Sequence, residues 1–188
     1  MDIAGVHKNS KLLIDGVPYD VVDVDFVKPG KGRAIYRLRL KNLVDGNTLD
    51  RTYHSSESVE EARISTEEMQ YLYRDGDHYV FMNTETFEQL PLSAERLGDK
   101  SHFLKEGTTV TVMMLDDKPL DVIIPVFVEL AVVETAATTR KETITAQNKS
   151  AVLETGYAID VPTFIKEGDI LKIDTRTGNY VERAGPKK

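Results

Sequence analysis

The 188-residue sequence contains no cysteine and no tryptophan. Without thiols, disulfide cross-links and thiolate metal sites are excluded. No apolar run approaches the roughly 18 residues that cross a bilayer as a helix, and the opening MDIAGVHKNS lacks an apolar signal core, so the cytoplasm is the expected location and no membrane is involved. The four histidines, His7, His54, His78 and His102, stand far apart, with none at the i, i+4 spacing of a helical metal site. The sequence holds no GxxxxGK[ST], no GxGxxG and no GxSxG motif. Asp116-Asp117, beside Lys118-Pro119, reads as a solvated turn rather than an acid–base pair. These absences predict no catalytic residue, no metal and no cofactor: the chain is not expected to be an enzyme.

What is present is charge, unevenly spread. The net charge is -7. Residues 1–63 carry ten basic and ten acidic side chains, residues 64–127 five and twelve, and residues 128–188 nine of each. An acidic total argues against nonspecific nucleic-acid binding, but binding depends on the surface presented, and one stretch inverts the balance. Between Asp25 and Asp45 there is no acidic residue, while Lys28, Lys31, Arg33, Arg37, Arg39 and Lys41 are all basic. A solvated strand face usually mixes signs. A row of cations suits a polyanion, through phosphate contacts that position a partner without reading its sequence.

The same stretch is a predicted hairpin. Val22, Val24 and Phe26 alternate with Asp23 and Asp25, and Tyr36, Leu38 and Leu40 alternate with Arg37, Arg39 and Lys41, the period of half-buried strands. The apolar set is expected to face a core, and the three cations to face outward together. Lys28-Pro29-Gly30-Lys31-Gly32 joins the strands with turn chemistry, in which Pro29 presets φ and Gly30 accepts a positive one. No helix start follows to supply the amides of a phosphate cradle. Loop lysines ordinarily just solubilise. Here glycines on both sides bare the Lys31 amine, which suits a lysine modified by an enzyme or inserted into a cavity.

Further strands are predicted at residues 11–14, 19–27 and 48–54, with 56–62 weakly helical, closing a small first barrel. A second unit begins near residue 64, with strands at 70–74, 78–82, 87–90, 108–115 and 120–124 and one helical turn at 94–97 capped by Ser93. A third begins near 128, with strands at 127–134, 151–155, 157–161, 169–174 and 179–183 and a long polar loop over 135–150. Phe103-Leu104-Lys105-Glu106-Gly107 and Phe164-Ile165-Lys166-Glu167-Gly168 share one pattern 61 residues apart, each just before a strand. Either one common turn is used twice, or the second and third units are two copies of a five-stranded oligonucleotide-binding (OB) barrel. The expectation is all-β: three small β-barrels, residues 1–63, 64–127 and 128–188.

Several motifs then fall into a family pattern. Val27-Lys28-Pro29-Gly30-Lys31-Gly32, Tyr71-Leu72-Tyr73-Arg74-Asp75-Gly76-Asp77-His78-Tyr79-Val80-Phe81-Met82, Leu153-Glu154-Thr155-Gly156, Asp174-Thr175-Arg176-Thr177-Gly178 and Tyr180-Val181-Glu182-Arg183 occur in order over nearly the whole chain. Together they resemble the bacterial translation elongation factor P family. The resemblance implies an L-shaped array, a KOW/SH3-like barrel followed by two OB barrels. It implies a monomer that binds the 70S ribosome beside the P-site tRNA, contacts ribosomal RNA, and relieves stalling at consecutive prolines. Lys31 would reach toward the peptidyl-transferase centre, extended in many members by a lysine-modifying enzyme. The resemblance places the modified loop at Lys28, Pro29, Gly30, Lys31 and Gly32. RNA contacts fall at Arg33, Arg37, Arg39, Lys41, Thr143, Tyr180 and Arg183, the first four on charge and the last three by resemblance. One departure stands out: where the family has Gly-Asp-Thr-Ala, this chain reads Lys141-Glu142-Thr143-Ile144, keeping the threonine and losing the glycine. Two other functions fit parts of the sequence, a carrier domain presenting Lys31 for biotin or lipoate and a general single-strand nucleic-acid binder.

Overall fold

A computed structural model describes residues 1–28, 30, 33–135 and 148–186. Strands β1 (Lys11–Ile14), β2 (Val17–Val27), β3 (Ile35–Asn42), β4 (Thr48–His54) and β5 (Glu60–Glu61) form the first antiparallel sheet, in the order β4-β3-β2-β1-β5. Its core gathers Ile3, Val6, Leu12, Val21, Leu38, Leu40 and Val59. Residues 56–62, expected to be weakly helical, instead run along this core. The Val59 amide donates to Met1 O and the Ala62 amide to Lys11 O, each at 2.9 Å, and β5 pairs with β1. Burying Val59 and Ala62 outweighs a weak local preference.

The β2–β3 ladder departs from the simple alternation read from sequence. Val21 pairs with Leu40 and Val24 with Leu38, but Asp23 pairs with Arg39, so Val22 is an extra residue in a bulge. The bulge resets the phase, and Val21, not Val22, is the fully buried valine. At the far end of the ladder Phe26 pairs with Tyr36 and is 52% exposed, a correction to its expected place in the core.

The middle sheet comprises β6 (Ile64–Asp75), β7 (His78–Asn83), β8 (Gln89–Ser93), β9 (Thr109–Leu115) and β10 (Lys118–Ile123), ordered β10-β9-β6-β7-β8. A short helix, α1 (Ala94–Leu97), and a 3-10 turn, Gly98–Phe103, follow β8, and the Ser93 side chain accepts from the Arg96 amide as the expected cap. The last sheet comprises β11 (Phe127–Thr135), β12 (Asn148–Leu153), β13 (Ala158–Pro162), β14 (Asp169–Asp174) and β15 (Asn179–Pro186), ordered β13-β12-β11-β14-β15. Asn148, Lys149 and Ser150, expected to end a polar loop over 135–150, instead pair with Pro162, Val161 and Asp160. Packing divides the chain into two compact units, Met1–Thr66 with Met113–Asp121, and Glu67–Val112 with Val122–Lys188.

The middle and last sheets have one topology. In each, the first strand is central, the second and third lie on one side of it, and the fourth and fifth on the other. The repeated Lys-Glu-Gly motif occupies the same place in both. Gly107 and Gly168 take φ of 85° and 86°, and their amides donate to Tyr71 O and Val132 O on the central strands β6 and β11, at 2.8 and 2.9 Å. The next amides, Thr108 and Asp169, donate back to Lys105 O and Lys166 O. The aliphatic residue of each motif, Leu104 or Ile165, is buried; the aromatic is buried at Phe103 and exposed at Phe164. The echo is a duplicated barrel feature, not a chance turn.

A Cβ at Gly107 or Gly168 meets nothing within 4 Å, so substitution there isolates the backbone conformation. Gly107→Ala and Gly168→Ala should each destabilise the chain by about 1–2 kcal/mol, the cost of a left-handed non-glycine residue. Denaturant unfolding should show similar shifts for the two; a neutral Gly168→Ala would contradict the shared role.

Candidate nucleic-acid interface

The hairpin between Val27 and Ile35 carries the predicted loop. Pro29, Lys31 and Gly32 lie outside the described residues, as does Thr143; Lys28, Gly30 and Arg33 are exposed. Arg37, Arg39 and Lys41 do face outward together, as the alternation requires. They do not form a surface of one sign. Antiparallel pairing sets Asp25 opposite Arg37, Asp20 opposite Lys41, and Arg39 between Asp23 and Asp50, whose Oδ1 accepts from Arg39 Nε at 3.2 Å. Directly opposed residues share a face, so the strand's cations are interleaved with aspartates from its two neighbours. Arg37 and Arg39 line a shallow cavity of about 250 Å³ together with Asp23, Asp25 and Asp50. Counting charge along a single strand cannot see this. Lys28 and Arg33, nearest the tip, have no acidic partner among the described residues.

On the last sheet, Tyr180 pairs with Ile173 and packs against the core. Arg183 is exposed, its Nη1 3.8 Å from Asp169 Oδ2, which accepts from the Lys166 amide at 2.9 Å. The sequence reading missed a neighbouring cluster. Phe127, 46% exposed, has Lys172 Nζ 5.1 Å and Arg176 Cζ 5.9 Å from its ring centroid. Both cations are engaged elsewhere: Lys172 with Glu182 at 2.8 Å, and Arg176 with Asp174 at 2.6 Å. The Arg176 side chain and amide, by hydrogen bonding, hold the Asp174 carboxyl below the usual carboxylate range. No linear pattern marks Phe127, because the cations reach it from β14 and the turn beyond.

A cavity of about 480 Å³ draws Tyr71, Arg74, Tyr79, Lys105, Glu154 and Thr155 together from three of the motifs. Glu154 Oε1 accepts from the Ala131 amide at 2.8 Å and lies 3.2 Å from Lys105 Nζ, and Arg74 lies over the Tyr79 ring at 5.3 Å. Burial, with Tyr79 and Glu106 nearby, pushes the Tyr71 phenol above its ordinary value. These charges are largely spent on one another. Among the described residues no three His, Asp or Glu side chains are grouped to hold a metal, and no helix is long and apolar enough to cross a membrane.

Three family models match the chain in series: the elongation factor P KOW-like domain over residues 4–59, the elongation factor P OB domain over 64–122, and the elongation factor P C-terminal domain over 128–183. The chain belongs to the elongation factor P family. It is similar to elongation factor P of Coprothermobacter proteolyticus, at 48% identity over 172 residues covering 92% of each chain. It is likewise similar to that of Desulfotalea psychrophila, at 41% over 183 residues covering 97% of this chain and 98% of the relative. Elongation factor P 2 of Geobacter sulfurreducens is 42% identical over 181 residues, covering 96% and 97%. Among solved structures, eukaryotic translation initiation factor 5A from Methanococcus jannaschii aligns with 65% of this chain and 92% of its own at 25% identity, with a TM-score of 0.47. Elongation factor P membership gives the chain a role in translation elongation, and it agrees with a KOW-like sheet followed by two sheets of one topology.

Because Tyr180 is half-buried against the core and Arg183 is not, the two should separate on mutation. Tyr180→Ala should cost roughly 2 kcal/mol, below the 3–5 kcal/mol of a fully buried aromatic, while Arg183→Ala should change stability by less than about 0.5 kcal/mol. Thermal unfolding of both variants and of Tyr180→Phe tests this.

Proposed function

We propose that the chain binds the ribosome beside the P-site peptidyl-tRNA and stimulates peptide-bond formation at consecutive prolines, with Lys31 directed toward the peptidyl-transferase centre. The observation that carries the reading is the β2–β3 arm. Its paired residues run from Tyr19 and Asn42 to Val27 and Ile35. At about 3.4 Å per residue, the eight steps from Tyr19 to Val27 give a ladder roughly 27 Å long. Residue 31 sits midway in the connection that ends this arm, between two glycines. Membership of a family of elongation factors supplies the context in which such an arm is useful.

The chemistry belongs to the ribosome. Proline is a constrained nucleophile, and a nascent Pro-Pro segment strains the line of attack. A factor that holds the tRNA end and nascent chain in a reactive arrangement lowers the entropic part of the barrier without contributing an acid, base or nucleophile. In this reading three domains, residues 1–63, 64–127 and 128–188, act as a spacer that fixes where the arm can reach. A lysine-modifying enzyme lengthens Lys31, Thr143 lies on the mRNA side, and the site of action is the cytoplasm.

Lys31→Ala should slow synthesis of a Pro-Pro-Pro reporter on the order of tenfold, equivalent to about 1.4 kcal/mol of barrier, and leave a reporter without proline runs unchanged. Equal rates on both reporters for wild type and variant would contradict the proposal.

A further inference from the structure

Phe26 is a large apolar side chain that the core does not use. It lies on the core-facing side of the β2–β3 ladder, in a cross-strand row with Tyr36 and Tyr53. Tyr36 and Tyr53 are half-buried and pack against the core cluster, whereas Phe26 ends the row 52% exposed. Its ring meets that of Tyr36 at a centroid distance of 4.9 Å and a 48° tilt, so it is held from one side and open on the other. Lys28 follows two residues later and Arg33 precedes Tyr36 by three, both exposed and without an acidic partner among the described residues. A supported aromatic face with free cations beside it is the combination that binds unpaired nucleotides, the ring stacking a base and the cations holding phosphates.

Phe87, Phe127 and Phe164, also exposed, lack part of this set. Phe87 is 69% exposed but lies between Glu85 and Glu88, which repel a polyanion. Phe127 already has Lys172 and Arg176 against its ring, with their charges taken up by Glu182 and Asp174. Phe164 is followed by Lys166 and Glu167, whose charges cancel. In the middle of the β3 ladder, Asp23, Asp25 and Asp50 offset the arginines. At the tip an open ring and cations without an acidic partner among the described residues coincide.

We infer that Phe26, buttressed by Tyr36 and flanked by Lys28 and Arg33, is a stacking platform for an unpaired base of RNA. The inference deepens the proposed function and rests on it for the choice of RNA as partner. The platform makes the tip selective for a single-stranded end over a duplex: a base must be free to lie on the ring, and a base already stacked in a helix is not. Recognition at the tip is then carried by stacking, with charge as a supplement, unlike the salt-governed contacts expected of a cationic strand.

The test uses the full chain, a fluorescently labelled unstructured RNA strand of about 12 nucleotides, within the usual site sizes of such surfaces, and the same strand annealed to its complement. Affinities are measured across a salt series. Phe26→Ala should weaken single-strand binding about tenfold or more, with an unchanged slope of log affinity against log salt and little effect on the duplex. Phe26→Trp should restore it. Arg33→Gln should instead lower the slope by about 0.7, one phosphate contact to a single strand. Wild-type affinity in Phe26→Ala would overturn the inference and leave the patch to a protein partner. So would a loss shared equally by single strand and duplex, or a loss that appears as a smaller slope. Because Phe26 lies outside the core cluster, the variant should unfold with wild-type cooperativity, which checks that the fold is intact. The ribosome is absent from this assay, so its failure is distinct from failure of the elongation reading, which the Lys31→Ala reporter tests alone.

Discussion

The first sheet depends on the register of the β2–β3 ladder, and that register turns on one inserted residue. The bulge at Val22 lets Val21 and Val24 both reach the core although they are three residues apart, opposite Leu40 and Leu38. Beyond it, the phase that packs Val24 against the core also places Asp25 beside Arg37 and leaves Phe26 outside the core. A one-residue slip would exchange the two faces of the strand, putting carboxylates into the apolar interior. The ladder is therefore pinned, and with it the two ends, Val27 and Ile35, between which the connection runs. Preorganisation of this kind is what a positioning factor needs, because an arm that flexed would spend binding energy on its own ordering.

The rest of the chain repeats one solution. A central first strand accepts a hydrogen bond from the glycine of a Lys-Glu-Gly turn, once in the middle sheet and once in the last. Within the second compact unit, the two copies share hydrophobic material: Phe103 joins the core of the last sheet, and His102 stacks on Tyr157 at a ring separation of 4.4 Å and an interplanar angle of 7°. The duplicated motif has diverged at its aromatic, buried at Phe103 and exposed at Phe164. The turn geometry is kept because the positive φ and the strand hydrogen bond are local requirements, whereas the aromatic's surroundings differ between the copies.

Much of this was legible in the sequence. Turn residues and alternation located most strands to within a few positions, the capped helical turn at Ala94–Leu97 was marked by Ser93, and the 61-residue echo pointed to a repeated barrel. What was not legible has one cause. Alternation reports which residues of a strand share a face but is blind to bulges and to the neighbouring strand. It therefore buried Phe26 and credited Arg37, Arg39 and Lys41 with a purely positive face, when aspartates on β2 and β4 sit among them. Phe127 went unnoticed for the same reason, since Lys172 and Arg176 reach it across a strand boundary. Residues 56–62 misled differently: a polar stretch with no strong preference took whatever backbone path buried Val59 and Ala62.

The central claim is that the β2–β3 tip works at the 3′ end of the P-site tRNA. The absence of cysteine makes this directly measurable. A single Lys28→Cys substitution accepts one tethered iron chelate, and the hydroxyl radicals it generates cut RNA close to the attachment point. On ribosomes stalled within a proline run, the account predicts cuts in the terminal nucleotides of the P-site tRNA and in the adjoining ribosomal RNA, lost when the chelate is moved to Asp117→Cys in the β9–β10 turn. Cuts from position 28 confined to RNA remote from the tRNA end, or the same pattern from both positions, would contradict it.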